Sequence, residues 1–219
     1  MHVRVISYSQ PPEGKQSLQD LVAYCARVSN PTNQNNTETN ERLIKYLIDH
    51  QHWSPLEMVN VCLEIETTRD IARQILRHRS FSFQEFSQRY AVADLDFIQR
   101  EARLQDLKNR QNSVETTDDE IKTVWNTMQN ELSEKVKYAY EWALEHGIAK
   151  EQARVVLPEG MTKSKLYMNG SLRSWVHYIQ LRSANGTQKE HREVAIACAK
   201  EIASIFPMIN SLISDDSNI

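Results

Sequence analysis

The chain has 219 residues, 40% hydrophobic and 25% charged, with a formal net charge of −3. That length allows one to two domains at about 100–200 residues each, and with no Pro/Gly/Ser linker we expect a single domain over 1–219, with 94–115 a variable segment and 207–219 a tail. Mild acidity gives no bulk attraction to nucleic acid or membrane surfaces, and no apolar run approaches the ~20 residues of a membrane span.

In chain order, Met1–Tyr8 carries Val3, Val5 and Ile6 and reads as a short strand, not as a targeting peptide. A turn at Gln10–Gly14 leads to a helix with Leu18, Leu21, Val22, Cys25 and Val28 on one face. Asn30–Asn36 is a polar loop, and Leu43, Ile44, Leu47 and Ile48 mark a second helix ending near His50. Pro55 makes His52–Pro55 a turn. Glu57–Thr67 is the strongest strand, and Thr68 caps a helix running through Leu76.

Arg77–Tyr90 shows neither helical nor strand periodicity, and Asp94–Glu115 is charged and partly helical at best. Asp118 begins a long helix that Gly147 ends. A short helix over Lys150–Leu157 stops at Pro158; a strand at Lys163–Asn169 and helices at Ser171–Ser183 and Lys189–Ile205 complete the pattern. The fold class is α/β in the α+β sense, mostly helical with a small mixed or antiparallel sheet.

Residue usage narrows the chemistry. Cys25, Cys62 and Cys198 are odd in number and widely spaced, which excludes a disulfide framework and a zinc knuckle and fits a reducing, cytoplasmic setting. No metal site is expected. The five glycines never fall closer than ten residues apart, so neither G-x-G-x-x-G nor a P-loop can be written. Any phosphate must be held by side chains.

The segment suited to that task is Gln74–Tyr90. It carries Arg77, His78, Arg79 and Arg89 with Ser82, Glu85 and Ser87. Arginine presents a rigid fork of donors that matches phosphate and stays charged at any working pH. Serine hydroxyls can complete a phosphate shell. An Arg-His-Arg triplet alone would more often be a solvated surface feature, but here seven residues separate it from Ser87, and Ser-x-Arg-Tyr follows.

That extended pattern resembles the signature loop of flavin-dependent thymidylate synthases. His52-Trp53-Ser54-Pro55, Ala153-Arg154-Val155-Val156-Leu157-Pro158, Ser171-Leu172-Arg173 through Arg182, and Gln188-Lys189-Glu190 resemble further segments of that family in order and spacing. The resemblance spans about residues 1–206. Gln84, Gln88 and Ser171 depart from it, standing where the family often has asparagine, glycine and asparagine.

The resemblance implies an FAD enzyme that methylates dUMP to dTMP, with methylenetetrahydrofolate as carbon donor and NADPH as reductant. It implies a homotetramer whose active sites draw on several subunits, and neither nucleic-acid nor membrane partners. FAD contacts carried over are Ser54, Arg77, His78, Arg79, Glu85, Ser171, Leu172, Arg173 and His177. dUMP contacts are Gln74, Ile75, Leu76, Arg77, Glu85, Phe86, Ser87, Gln88, Arg89, Arg154 and Arg182. Arg182 is the expected catalytic residue, a fixed cation beside the uracil ring. Ser87 has no histidine or lysine following nearby to act as its base, so it is expected to position phosphate and not to attack.

Two rival readings stay open at this level. Arg69, Arg73 and Arg77 recur at i, i+4 and, with Arg79, could face a nucleic-acid backbone. Alternatively the chain is a family member that binds nucleotide without turnover.

Overall fold

The computed structural model describes residues 1–11 and 17–212; most of the expected Gln10–Gly14 turn and the end of the expected tail lie outside them. Four strands, β1 (His2–Tyr8), β2 (Asn60–Thr68), β3 (Ser82–Glu85) and β6 (Lys163–Ser171), form one antiparallel sheet in the order β1-β2-β6-β3. Its strands alternate: Val61, Leu63 and Ile65 of β2 and Leu166 and Met168 of β6 are buried on one face. The opposite face carries Arg4, Glu64, Lys165 and Tyr167, with Glu64 gripped by Arg4 at 2.7 Å.

Seven helices complete the described chain. α1 (Leu18–Ala26) starts at a capping box in which Ser17 and Asp20 bond each other's backbone N–H, worth about 1 kcal/mol. α2 is Asn40–Asp49, α3 is Arg69–Ile75 and α4 is Asp119–Glu145, the last capped by Asp118 at 2.9 and 3.1 Å. α5 is only Lys150–Ala153, α6 is Leu172–Ser183 and α7 is Lys189–Ala203. The apolar faces of α1, α2, α3, α6 and α7 join the inner face of the sheet in one core. Fully burying one large side chain there contributes about 1.5–3 kcal/mol.

The largest core residue, Trp175 of α6, also donates its indole N–H to the Val61 carbonyl at 2.9 Å, locking α6 across β2. A second apolar cluster gathers Ala93, Val136, Tyr140, Ala143, Ala153 and Leu157. It holds the chain after the signature loop against α4 and α5, with the Ala93 N–H donating to the Tyr140 hydroxyl at 3.1 Å.

The expected elements recur with four differences. Ser54–Glu57 is a 3₁₀ turn, so the strong strand begins at Asn60 and not at Glu57. Lys150–Leu157 divides into α5 and a 3₁₀ turn at Arg154–Val156. Residues 94–115 hold no helix; Arg103–Gln105 (β4) and Ser113–Glu115 (β5) pair antiparallel instead. Asp106 drives this turn by accepting the Lys108 and Asn109 N–H groups at 2.8 and 3.1 Å, an alternative to helical bonding that aspartate favours. The expected tail is not peripheral where described, since Pro207–Leu212 forms a 3₁₀ turn and Ile209 is wholly buried.

β3 was hidden inside the unpatterned Arg77–Tyr90 stretch. It is an edge strand whose approach depends on Gly170: a Cβ there would lie 2.4 Å from Phe81 Cδ1. Gly170→Ala is therefore expected to lower stability by about 1–3 kcal/mol through overpacking. Thermal unfolding checks this, with Phe81→Leu in the same chain expected to recover part of the loss; an unchanged midpoint in the single variant would show that the ring yields.

Candidate active site

Immediately after α3 the chain turns, with the His78 N–H donating to the Ile75 carbonyl at 3.0 Å. Phe81 follows and packs edge-on against Trp175 at 4.9 Å. This anchors the Arg-His-Arg turn beside α6. Arg77 and Arg79 are exposed and form no ion pair among the described residues. His78 between them is half-buried, and its Nε2 accepts the Arg182 Nε–H at 3.0 Å. Burial, then the Arg182 and Arg77 cations, push its pKa down to about 4. His78 is thus neutral, with its proton on Nδ1.

Behind this pair lies a buried polar chain. His191 of α7 places Nδ1 3.1 Å from Gln74 Oε1 and Nε2 3.2 Å from the Tyr178 hydroxyl. Burial, then Arg182 and His78, push His191 down to about 3, and burial holds the Tyr178 phenol well above its usual range. Gln74 in turn donates to Gln188 at 2.7 Å. The side chains of Ile75 and Leu172 are in the core, which leaves their backbones to meet any ligand; Leu76 is only partly buried.

A second group lies at the start of α6. Ser171 caps that helix by accepting the Ser174 N–H at 3.3 Å, and Arg173 pairs with Glu57. His177 stands edge-on to Trp53 at 4.5 Å beside the exposed Ser54, and burial followed by Arg173 lowers its pKa.

The third group surrounds the end of β3. Glu85 accepts from the Ser164 hydroxyl at 2.8 Å and faces Arg69 at 3.6 Å. Phe86 extends the ladder by donating its N–H to the Lys165 carbonyl at 2.8 Å, while its ring is exposed. Ser87 accepts the Arg89 N–H at 3.4 Å and shows no basic partner among the described residues. Arg89 faces Glu151 at 3.4 Å, and Arg154 bonds the Glu151 carbonyl at 3.3 Å. Gln88 is 4% exposed, with an amide nitrogen that meets no partner among the described residues; it lines a cavity of about 420 Å³ with Arg69, Arg73 and Arg154. Gln51 is the one described non-glycine residue at positive φ, so glutamine at position 88 costs no backbone strain.

The arginine stripe considered for nucleic acid does not form. α3 ends at Ile75, so Arg77 is off the helix, and Arg69 and Arg73 are paired with Glu85 and Glu159. What the fold does is join two segments 104 residues apart, setting Arg182 on the histidine of the triplet.

Comparison with known proteins places that arrangement. The model of the family described as thymidylate synthase complementing protein matches residues 5–208. The chain belongs to the flavin-dependent thymidylate synthase family. A probable flavin-dependent thymidylate synthase of Paramecium bursaria Chlorella virus 1 is 49% identical over 210 residues, spanning 95% of this chain and 97% of the relative. The flavin-dependent thymidylate synthase of a Synechocystis strain is 50% identical over 213 residues, with the same coverage. Among solved structures, the UMP/dUMP methylase PolB of Streptomyces cacaoi, bound with 5-Br dUMP, superposes with a TM-score of 0.81 at 26% identity, covering 96% of this chain and 93% of that one.

The sequence pattern does not single out His191, Tyr178 or Ser164, and it offers Arg69 only as part of the nucleic-acid stripe. His191 carried a weak signal, a histidine on the apolar face of a helix; Ser164 carried none, and nothing local showed the pairing of Arg69 with Glu85, because these partners lie far along the chain. No hydrogen bond or ion pair among the described residues joins one group's site residues to another's.

The two depressed histidines have a consequence for stability. The unfolded chain takes up protons near the ordinary 6.5, while folded His78 and His191 do so only near 4 and 3. Their contribution is complete above about 6.5 and is lost as pH falls from there toward 4 for His78 and toward 3 for His191. The unfolding midpoint should decline over that window, and His78→Asn should flatten the slope. An identical slope in the variant would disprove the assignment.

Proposed function

We propose that this chain is a flavin-dependent thymidylate synthase converting dUMP to dTMP, with FAD as cofactor and methylenetetrahydrofolate and NADPH as co-substrates. The observation that carries the reading is the Arg182–His78 bond, which joins the arginine that the resemblance assigns to the pyrimidine with the triplet that it assigns to the flavin. FAD would be held by Arg77, His78 and Arg79 with Ser54, Glu85, Ser171, Leu172, Arg173 and His177. The donor set fits in its main part: two exposed guanidinium groups that form no ion pair among the described residues flank a neutral imidazole, which suits a diphosphate. Arg173 fits less directly, because Glu57 already holds it.

dUMP would be held by Gln74, Ile75, Leu76, Arg77 and Arg182 on one side and by Glu85, Phe86, Ser87, Gln88, Arg89 and Arg154 on the other. Gln88 supports the second set, since a buried amide N–H with no partner among the described residues suits an anion or carbonyl beside Arg154. FAD, when bound, supplies the hydride that turns the folate-derived methylene into a methyl group. Arg182 spends its Nε–H on His78, which leaves its two terminal amino groups for the uracil. A cation fixed there stabilises negative charge as it develops on the ring. Because His78 is neutral, it orients that guanidinium without adding a competing charge.

No hydrogen bond or ion pair among the described residues joins the dUMP contacts at Gln74 and Arg182 to those beyond β3, which supports sites shared between subunits of a homotetramer. So does α4, whose Ile121, Val124, Trp125, Met128 and Leu132 form an exposed apolar stripe at helical spacing. The same reading treats 1–219 as one domain in the cytoplasm; no described helix is long and apolar enough to cross a membrane.

Purified protein should be yellow, bleach with NADPH and form dTMP when given dUMP and methylenetetrahydrofolate. A preparation that takes up no FAD overturns the reading. Arg182→Ala should keep FAD but lose dTMP formation by about 10²–10³-fold, whereas Ser87→Ala should retain measurable turnover. Light scattering should give four subunits, and a fully active monomer would refute the shared site.

A further inference from the structure

His191 is wholly buried, yet both of its ring nitrogens have partners. The direction of every hydrogen bond around it can be worked out from one end. Glu190, flanked by Arg100 at 3.2 Å and by Arg103, is a carboxylate and can only accept. Gln188 must therefore turn its amide nitrogen to Glu190, at 2.9 Å, and its oxygen to Gln74. Gln74 gives its nitrogen to that oxygen at 2.7 Å, so its own oxygen faces His191 Nδ1 at 3.1 Å. Nδ1 must carry the proton, and Nε2 accepts from the Tyr178 hydroxyl at 3.2 Å. Reversing any one amide would set donor against donor or acceptor against acceptor at the next link of the chain.

We propose that His191 is a positioning residue whose Nδ1–H holds the Gln74 carbonyl inward, so that Gln74 presents an N–H to the pyrimidine nucleotide. This rests on the reading of Gln74 as a dUMP contact. An outward N–H complements a ring carbonyl oxygen of uracil; an outward amide oxygen would repel it. The histidine touches neither substrate nor flavin. It acts by removing the second orientation of the amide, and the Tyr178 hydroxyl keeps its ring in the tautomer that does so.

Two conservative variants separate this role from mere packing. Asparagine places its amide nitrogen where Nδ1 stands and can still donate to Gln74, while glutamine reaches the Nε2 position and can satisfy only Tyr178. On the FAD-loaded enzyme, equilibrium dialysis with dUMP should show His191→Gln binding about five- to tenfold more weakly, as expected for one lost buried hydrogen bond. His191→Asn should stay within about twofold of the unsubstituted enzyme on the same scale. KM for dUMP should follow the same order with kcat and FAD content unchanged. Equal weakening in both variants, or none in His191→Gln, overturns the proposal.

Gln74→Leu distinguishes the two levels. If it leaves dUMP binding intact, the nucleotide role of Gln74 fails and the positioning role falls with it. If it weakens binding while His191→Gln does not, only the positioning role fails. Should a variant not fold, the unsubstituted enzyme still decides: ¹⁵N-histidine spectra should show His191 neutral with its proton on Nδ1, and the Nε2–H tautomer would overturn the proposal.

Discussion

The contact between Phe81 and the bare backbone of Gly170 governs how the site is assembled. A side chain at position 170 would occupy the space of the ring, so the edge strand β3 can lie on β6 only because that residue is glycine. Phe81 is at the same time pressed against Trp175, which α6 anchors through the Val61 carbonyl. One aromatic ring therefore fixes the triplet turn relative to α6, and with it the reach of Arg182 to His78. Close packing of this kind transmits small volume changes to the site because the core has no slack to absorb them.

Around that anchor the protein keeps His78 and His191 neutral and leaves Arg77 and Arg79 exposed. His78 and His191 titrate far below neutrality because burial and the Arg182 cation both oppose a second positive charge. Arg69, Arg73, Arg100 and Arg173 are engaged with carboxylates and serve mainly to hold loops and helix ends. Arg77 and Arg79 are left exposed beside the neutral ring. Among the described residues, Arg77 and Arg79 form no ion pair, which suits them to an anionic ligand more directly than Arg89 and Arg173, each of which already faces a glutamate.

The second apolar cluster has a parallel task. By packing Tyr140 and Ala143 of α4 against Ala93, Ala153 and Leu157, it brings the turn carrying Arg154 to the cavity that Gln88 lines. The hydrogen bonds of Gln129 to both the N–H and the carbonyl of Arg100, at 2.8 and 2.9 Å, tie the intervening segment to the same helix. Both groups of candidate site residues are thus held by core packing.

Sequence by itself determined the strongly periodic helices, the central strand β2 and the residues of the signature loop. These follow from local patterns: helical spacing in α2 and α4, alternation in β2, and the absence of any glycine cradle. The family resemblance rested on the same linear spacing, and the match over residues 5–208 agrees with it. Tertiary structure alone decided the edge strand β3, the β4–β5 pair, the burial of Ile209 and the His191 chain. Each depends on partners distant in sequence or on side chain–backbone bonds too weak to leave a periodic trace. Which arginines remain free for a ligand was decided the same way, because a guanidinium group finds its carboxylate through space and not along the chain.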